Sequence, residues 1–167
     1  MDIHVVSATA SGQTGLAAFD KALNYAGIAN YNLIRLSSVI PGGSKVVSHD
    51  DTIPADHLSG KWGDKLYVVM AEQRVITPNV ESWAGIGWVQ DKTTGEGLFV
   101  EHEGHSENSV KGDIKDSLQS MMEYRENHDF GDIETKVCGI TCTGIPVSAL
   151  VIAVYQAVNW NSQPCDG

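Results

Sequence analysis

Apolar residues recur along this chain with two different periods, and the switches between them mark its elements. Residues 3–9, Ile-His-Val-Val-Ser-Ala-Thr, read as a strand, and residues 10–15 as a loop. Leu16, Phe19, Leu23 and Ala26 then fall at helical spacing, with Gly27 as the stop. A short strand over 32–36 runs into Ser37 and Ser38 and is closed by Pro41-Gly42-Gly43. An irregular stretch follows over about 48–63, and segments of that length in compact domains carry function or mobility. Strands are predicted over 65–71, 82–89 and 97–103, the last two joined as a hairpin by a turn at 91–95. Ser106 opens the longest helix, whose apolar stripe is Val110, Ile114, Leu118, Met121 and Met122 and which fades near Asn127. Two strands, 134–143 and 147–158, close the chain across Gly144-Ile145-Pro146, and a polar tail over 159–167 is expected to fray. Strands outnumber helices and do not alternate with them regularly. The pattern therefore predicts an α+β fold, a layered αββα-type sandwich with mainly antiparallel strands, in a single domain over 1–167.

Composition narrows the partners. A chain of 167 residues buries roughly 70% of its unfolded surface, enough for one sizeable core. The formal net charge of −10, from 11 Lys and Arg against 21 Asp and Glu, argues against a nucleic-acid partner and against docking on anionic lipid. No apolar run approaches the ~20 residues of a membrane span, and the start lacks the basic and long apolar regions of a signal peptide. Three cysteines, Cys138, Cys142 and Cys165, form an odd set that reads as reduced thiols in a cytoplasmic protein.

Few constellations in the chain can carry chemistry. It has no P-loop, no dinucleotide fingerprint, no zincin motif and no nucleophile elbow. The run Glu101-His102-Glu103-Gly104-His105 has metal-ligand residue types. On a strand, though, Glu101 and Glu103 point one way and His102 the other, so they do not converge. Cys138 and Cys142, four residues apart on a predicted strand, would lie ~13 Å apart. No metal site is expected. The Ser37-Ser38 pair, taken alone, reads as a polar turn at a strand end.

Its context changes that reading. Phe19-Asp20-Lys21-Ala22-Leu23, then Ala26-Gly27-Ile28, then Asn32-Leu33-Ile34-Arg35-Leu36-Ser37-Ser38, resembles the pyruvoyl-dependent arginine decarboxylases. Gly97-Leu98-Phe99-Val100-Glu101-His102-Glu103-Gly104 is similar to that family's apolar strand ending in Glu-x-Glu-Gly. Gly12-Gln13-Thr14-Gly15-Leu16 is a weaker match to a Gly-Glu-Thr-Pro-Leu loop. The order of elements agrees over essentially the whole chain.

The resemblance implies a chemistry. Decarboxylating an amino acid leaves a carbanion that needs an electron sink, and a carbonyl cofactor supplies one through a Schiff base. In this family the carbonyl is a pyruvoyl group made from the chain, without pyridoxal phosphate or metal. It implies self-cleavage between Ser37 and Ser38 into residues 1–37 and a pyruvoyl-bearing chain 38–167. Asn32 becomes the polar group near that centre, and Glu101 the proton donor, with Glu103 on the same face as its rival. A carboxylic acid in that role needs burial to raise its pKa, and the preceding Leu98-Phe99-Val100 makes burial expected. Asp20 would hold a cationic substrate side chain, and because it follows core-facing Phe19 it need not be fully exposed. Leu16 would line the pocket mainly through its backbone. Ala29 and Tyr31 stand near the pocket where the family more often has Gly and Val, which leaves the choice among L-arginine and other cationic amino acids open. The implied assembly is a trimer or a pair of trimers with the pocket between subunits. An uncleaved, non-catalytic relative acting as a binding or regulatory subunit is the alternative.

Overall fold

Two sheets stacked face to face, each covered on its outer side by one helix, make up the computed structural model, which describes residues 1–50 and 52–161. The first sheet has the order β2-β5-β9-β1-β4 and the second β3-β7-β6-β8. The strands are β1 (Asp2–Ser11), β2 (Asn32–Arg35), β3 (Val39–Ile40), β4 (Lys45–Ser48), β5 (Lys65–Val75), β6 (Glu81–Gln90), β7 (Gly97–Gly104), β8 (Glu134–Thr141) and β9 (Val147–Val158). The helices are α1 (Gly15–Tyr25) and α2 (Glu107–Glu123), with one 3₁₀ turn at Ala55–His57. Only β1 with β4 and β2 with β5 pair in parallel; the other pairings are antiparallel. The α+β sandwich read from the pattern is therefore the fold.

Strand alternation divides the core into three layers. On β9, Leu150, Ile152 and Val154 face α1, while Ala149, Val151 and Ala153 face the second sheet. Phe99, Trp88, Ile86, Ile3 and Val5 fill the space between the sheets with them. Val110, Ile114 and Leu118 pack α2 on the outer face of β6 and β7. That approach is close because β6 carries Gly85 and Gly87, where an added Cβ would lie 2.7 Å from Val110 and 2.2 Å from Ile114. Both helices open on a hydroxyl cap: Thr14 accepts from the Ala17 amide, and Ser106 from the Ser109 amide.

Several boundaries depart from the sequence reading. Leu16 begins the predicted stripe of α1 yet is 65% exposed; the buried line is Ala18, Ala22 and Leu23, with Ala26 just beyond. Small alanines let α1 lie close to the sheet, which leaves Leu16 on the rim. Strands β3 and β4 were hidden inside a Pro- and Gly-punctuated segment, where strands of two and four residues leave no periodic signal. The last two strands are consecutive in sequence but belong to different sheets. Cys142 falls just past β8 and is fully buried, whereas Cys138 lies on it. Cys165 and most of the predicted frayed tail lie outside the described residues. Among the described residues no helix is long and apolar enough to cross a membrane.

Candidate active site

The Ser37-Ser38 pair is the whole crossover from one sheet to the other. The Leu36 amide still donates to Val68 of β5, so first-sheet pairing continues to Leu36. Val39 already pairs with Leu98 of β7 in the second sheet. Three Cα steps of about 3.8 Å must cover a gap between stacked sheets of about 10 Å, which leaves little slack. Ser38 takes up the turn with φ +68°, in the left-handed region that costs a non-glycine residue of order 1–3 kcal/mol. Asn79 is the other non-glycine residue with positive φ among those described, and asparagine tolerates that region better.

Fixed groups surround this strained residue. The Ser38 hydroxyl donates to Glu101 Oε1 at 2.6 Å, and the Ser38 carbonyl accepts from the Phe99 amide at 2.8 Å. Glu101 reaches Ser38 because it shares the inward parity of Phe99 on β7, so the strand aims both between the sheets. From the opposite sheet, Tyr155 of β9 donates its hydroxyl to the Val39 carbonyl at 3.0 Å and meets the Phe99 ring edge-on. Burial, and secondarily the Glu101 carboxylate, push the Tyr155 phenol well above its ordinary range, so it remains a hydrogen-bond donor at any working pH. Glu101 is half-buried, whereas Glu103, two residues on, is exposed. His102 turns to the other face and bonds Ser117 of α2 at 2.8 Å. Among the described residues no group of His, Cys, Asp or Glu is arranged to hold a metal ion.

The remaining candidates sit elsewhere. Asn32 opens β2, about 13 Å of extended chain before the crossover begins after Leu36, and its side-chain amide donates to the Gly63 carbonyl at 2.6 Å. Within one chain it does not bond Ser38 or Glu101. Ala29 and Tyr31 line a cavity of about 310 Å³ with Asn24, Gly27, Gly60 and Trp62. The Tyr31 ring presses on Gly60, where a Cβ would come within 2.4 Å of it. Asp20 is exposed on α1, and its carboxylate makes no hydrogen bond or ion pair among the described residues. The shelter expected from Phe19 is absent, because Phe19 is only half-buried and the Arg74 guanidinium covers its ring. One chain thus brings together Ser37, Ser38 and Glu101, and leaves Leu16, Asp20, Ala29, Tyr31 and Asn32 apart from them.

The comparison with known proteins decides the family. The profile of pyruvoyl-dependent arginine decarboxylase matches residues 2–158. The chain is 35% identical over 146 residues to the pyruvoyl-dependent arginine decarboxylase of Halobacterium salinarum, covering 85% of this chain and 86% of that one. It is 30% identical over 151 residues to that of Thermococcus kodakarensis, covering 89% and 90%. The chain belongs to the pyruvoyl-dependent arginine decarboxylase family. A third relative, pyruvoyl-dependent arginine decarboxylase 2 of Archaeoglobus fulgidus, is 28% identical over 159 residues, 94% of each chain. These relatives are named as decarboxylases, and the family resemblance read from the Ser37-Ser38 and Glu101 segments stands.

Two contributors to the site escaped the sequence reading. The Phe99 amide is a backbone group, invisible to any motif. Tyr155 is a polar tip on an apolar strand, and its inward parity with Val151 and Ala153 was legible once 147–158 was read as a strand. What it faces depends on pairing between sheets, which no local pattern reports.

Proposed function

We propose that this chain is a self-processing pyruvoyl-dependent decarboxylase converting L-arginine to agmatine and CO₂. The observation that carries the reading is the strained Ser38, hydrogen-bonded through its hydroxyl to Glu101 at 2.6 Å. For maturation, Ser38 Oγ attacks the Ser37 carbonyl carbon, and Glu101 is placed to take the hydroxyl proton. The amide becomes an ester as the Ser38 nitrogen leaves. Elimination of the Ser37 carboxylate gives dehydroalanine at 38, and water converts it to a pyruvoyl group with release of ammonia. The products are 1–37 and 38–167. Strain at Ser38 is relieved as the bond opens, and the Phe99 amide keeps the carbonyl of residue 38 in place throughout.

The residues around Ser38 fit such a group: a donor on its carbonyl, a carboxyl at its side chain and an apolar wall at Phe99. When present, the pyruvoyl ketone supplies the electron sink through a Schiff base with the substrate amine. Glu101 delivers the proton to Cα after CO₂ leaves. Asp20 holds the guanidinium by charge-assisted hydrogen bonds, with the backbone of Leu16 and the side chains of Ala29 and Tyr31 lining the pocket. Asn32 supplies the polar group at the reacting centre. Because one chain leaves that second set apart from Ser38, we propose a homo-oligomer, a trimer or pair of trimers, whose pocket is completed between copies. Lysine and histidine are the competing substrates, because the Tyr31 ring narrows the cavity against Gly60.

Intact mass spectrometry of the purified, denatured protein tests this. Two chains split after Ser37, the larger lighter by one ammonia than simple cleavage gives, together with CO₂ release from arginine, are expected. A single full-length chain without decarboxylase activity overturns the reading in favour of a non-catalytic relative.

A further inference from the structure

We infer that Tyr155 is a positioning residue, whose hydroxyl fixes the segment beginning at Ser38 against Glu101 by holding the Val39 carbonyl from the opposite sheet. The inference rests on the function proposed above.

Strand β3 has two residues and lies at the edge of its sheet, paired only with β7. Before cleavage the chain is tied on both sides of Ser38, by the Leu36 amide to Val68 on one side and by β3 on the other. After cleavage the first tie belongs to a different chain. The new terminus is then held by the β3–β7 pairing, the Phe99 amide on its carbonyl, and Tyr155 on the next carbonyl. The first two come from β7, the strand that also carries Glu101, so both leave the terminus free to pivot about one strand. Tyr155 comes from β9, across the interlayer, and closes the triangulation. Its ring has a second anchor against Phe99, at 6.1 Å between centroids. A terminus pinned from two sheets keeps its reacting carbon at a constant distance from the proton donor, and errors of about 1 Å in such placements cost up to ~100-fold in rate.

Tyr155→Phe removes the hydroxyl and keeps the ring. The processed variant is expected to lose roughly ten- to a hundredfold in kcat for arginine with little change in KM, at an unchanged Tm. Amide hydrogen exchange at Phe99, whose proton is held by the Ser38 carbonyl, should quicken. Replacing Tyr155 with 4-aminophenylalanine, which keeps a donor there, should restore both. A fully processed Tyr155→Phe protein with normal kcat and normal exchange at Phe99 overturns the inference, as does a loss confined to KM. A folded but uncleaved variant also overturns it, because the residue would then act in maturation. If the unaltered protein releases no CO₂ from arginine, the proposed function fails, and the exchange at Phe99 still decides the role of Tyr155.

Discussion

The interlayer around Ser38 and the rim around Tyr31 are built on opposite plans. Around Ser38, Glu101 and Tyr155 are aimed by strand parity from paired strands, and the Ser38 hydroxyl, the Ser38 carbonyl and the Val39 carbonyl each have a partner within 3.0 Å. At the rim, Asp20 and Leu16 stand on the solvent side of α1, and the side chains of Tyr31 and Asn32 lean on Gly60 and Gly63 of the segment 58–64. One chain brings together Ser38, Glu101 and Tyr155 in the first region. The second holds the groups proposed above for recognition. Bond-making groups need fixed geometry, and rigid sheets supply it. Recognition groups can wait for a neighbouring surface, and the proposed oligomer supplies one.

The contrast is sharpest at Ser38 itself. Ser38→Ala removes the nucleophile and should leave one folded chain of about 18.0 kDa with no decarboxylase activity, read by intact mass and CO₂ release. A cleaved Ser38→Ala protein would put the scissile bond elsewhere. Next in size, Glu101→Gln should slow cleavage and cost the processed fraction about 10²- to 10⁴-fold in kcat, the usual worth of a general acid; a near-normal rate would transfer the role to Glu103. Asp20→Asn belongs to the rim and should raise KM for arginine about tenfold or more while sparing kcat, since a charge-assisted hydrogen bond contributes ~1.5–3 kcal/mol. Unchanged affinity would remove Asp20 from the site and collapse the distinction between the two regions.

The smallest effect concerns how the rim is held. His4 of β1 bonds His49 at 2.9 Å, and His57 lies against both rings. Burial, then the neighbouring imidazoles of His57 and His49, lower the His4 pKa; burial, His57 and Lys136 lower that of His49, with Asp2 and Asp50 opposing weakly. The unfolded chain therefore binds more protons than the folded one below about pH 6.5, and stability falls as pH drops through that range. These histidines clasp the start of the segment that ends under Tyr31 and Asn32. His49→Gln should flatten the slope of Tm against pH between about 7 and 5. An unaltered slope would show that the cluster does not couple to folding.

The sequence was most legible where elements are long. The 3.6-residue stripe of α2 placed Val110, Ile114 and Leu118 in the core, and the apolar run of β9 was plain. Parity on β7 correctly separated Glu101 from His102. Local pattern could not show that Ser37 and Ser38 span two sheets, because that depends on Leu36 pairing with β5 and Val39 with β7. Nor could it show the exposure of Asp20, which follows from small alanines setting how α1 rolls on its sheet.

The crossover has one more consequence. Opening the 37–38 bond assigns β1, α1 and β2 to one polypeptide and everything from β3 onward to another. Strand β1 lies inside the first sheet, between β9 and β4 of the longer piece. Neither fragment would then have a complete core alone, and unfolding of the cleaved protein would be a dissociation. Its midpoint should depend more steeply on protein concentration than that of Ser38→Ala, which has only the contacts between copies to lose. A loop-closure term that was intramolecular in the precursor is lost for good, so the active form could not readily rebuild itself once melted. The same cut that creates the reactive terminus would make the enzyme a product assembled once, persisting through a slow unfolding rate rather than through a reversible equilibrium.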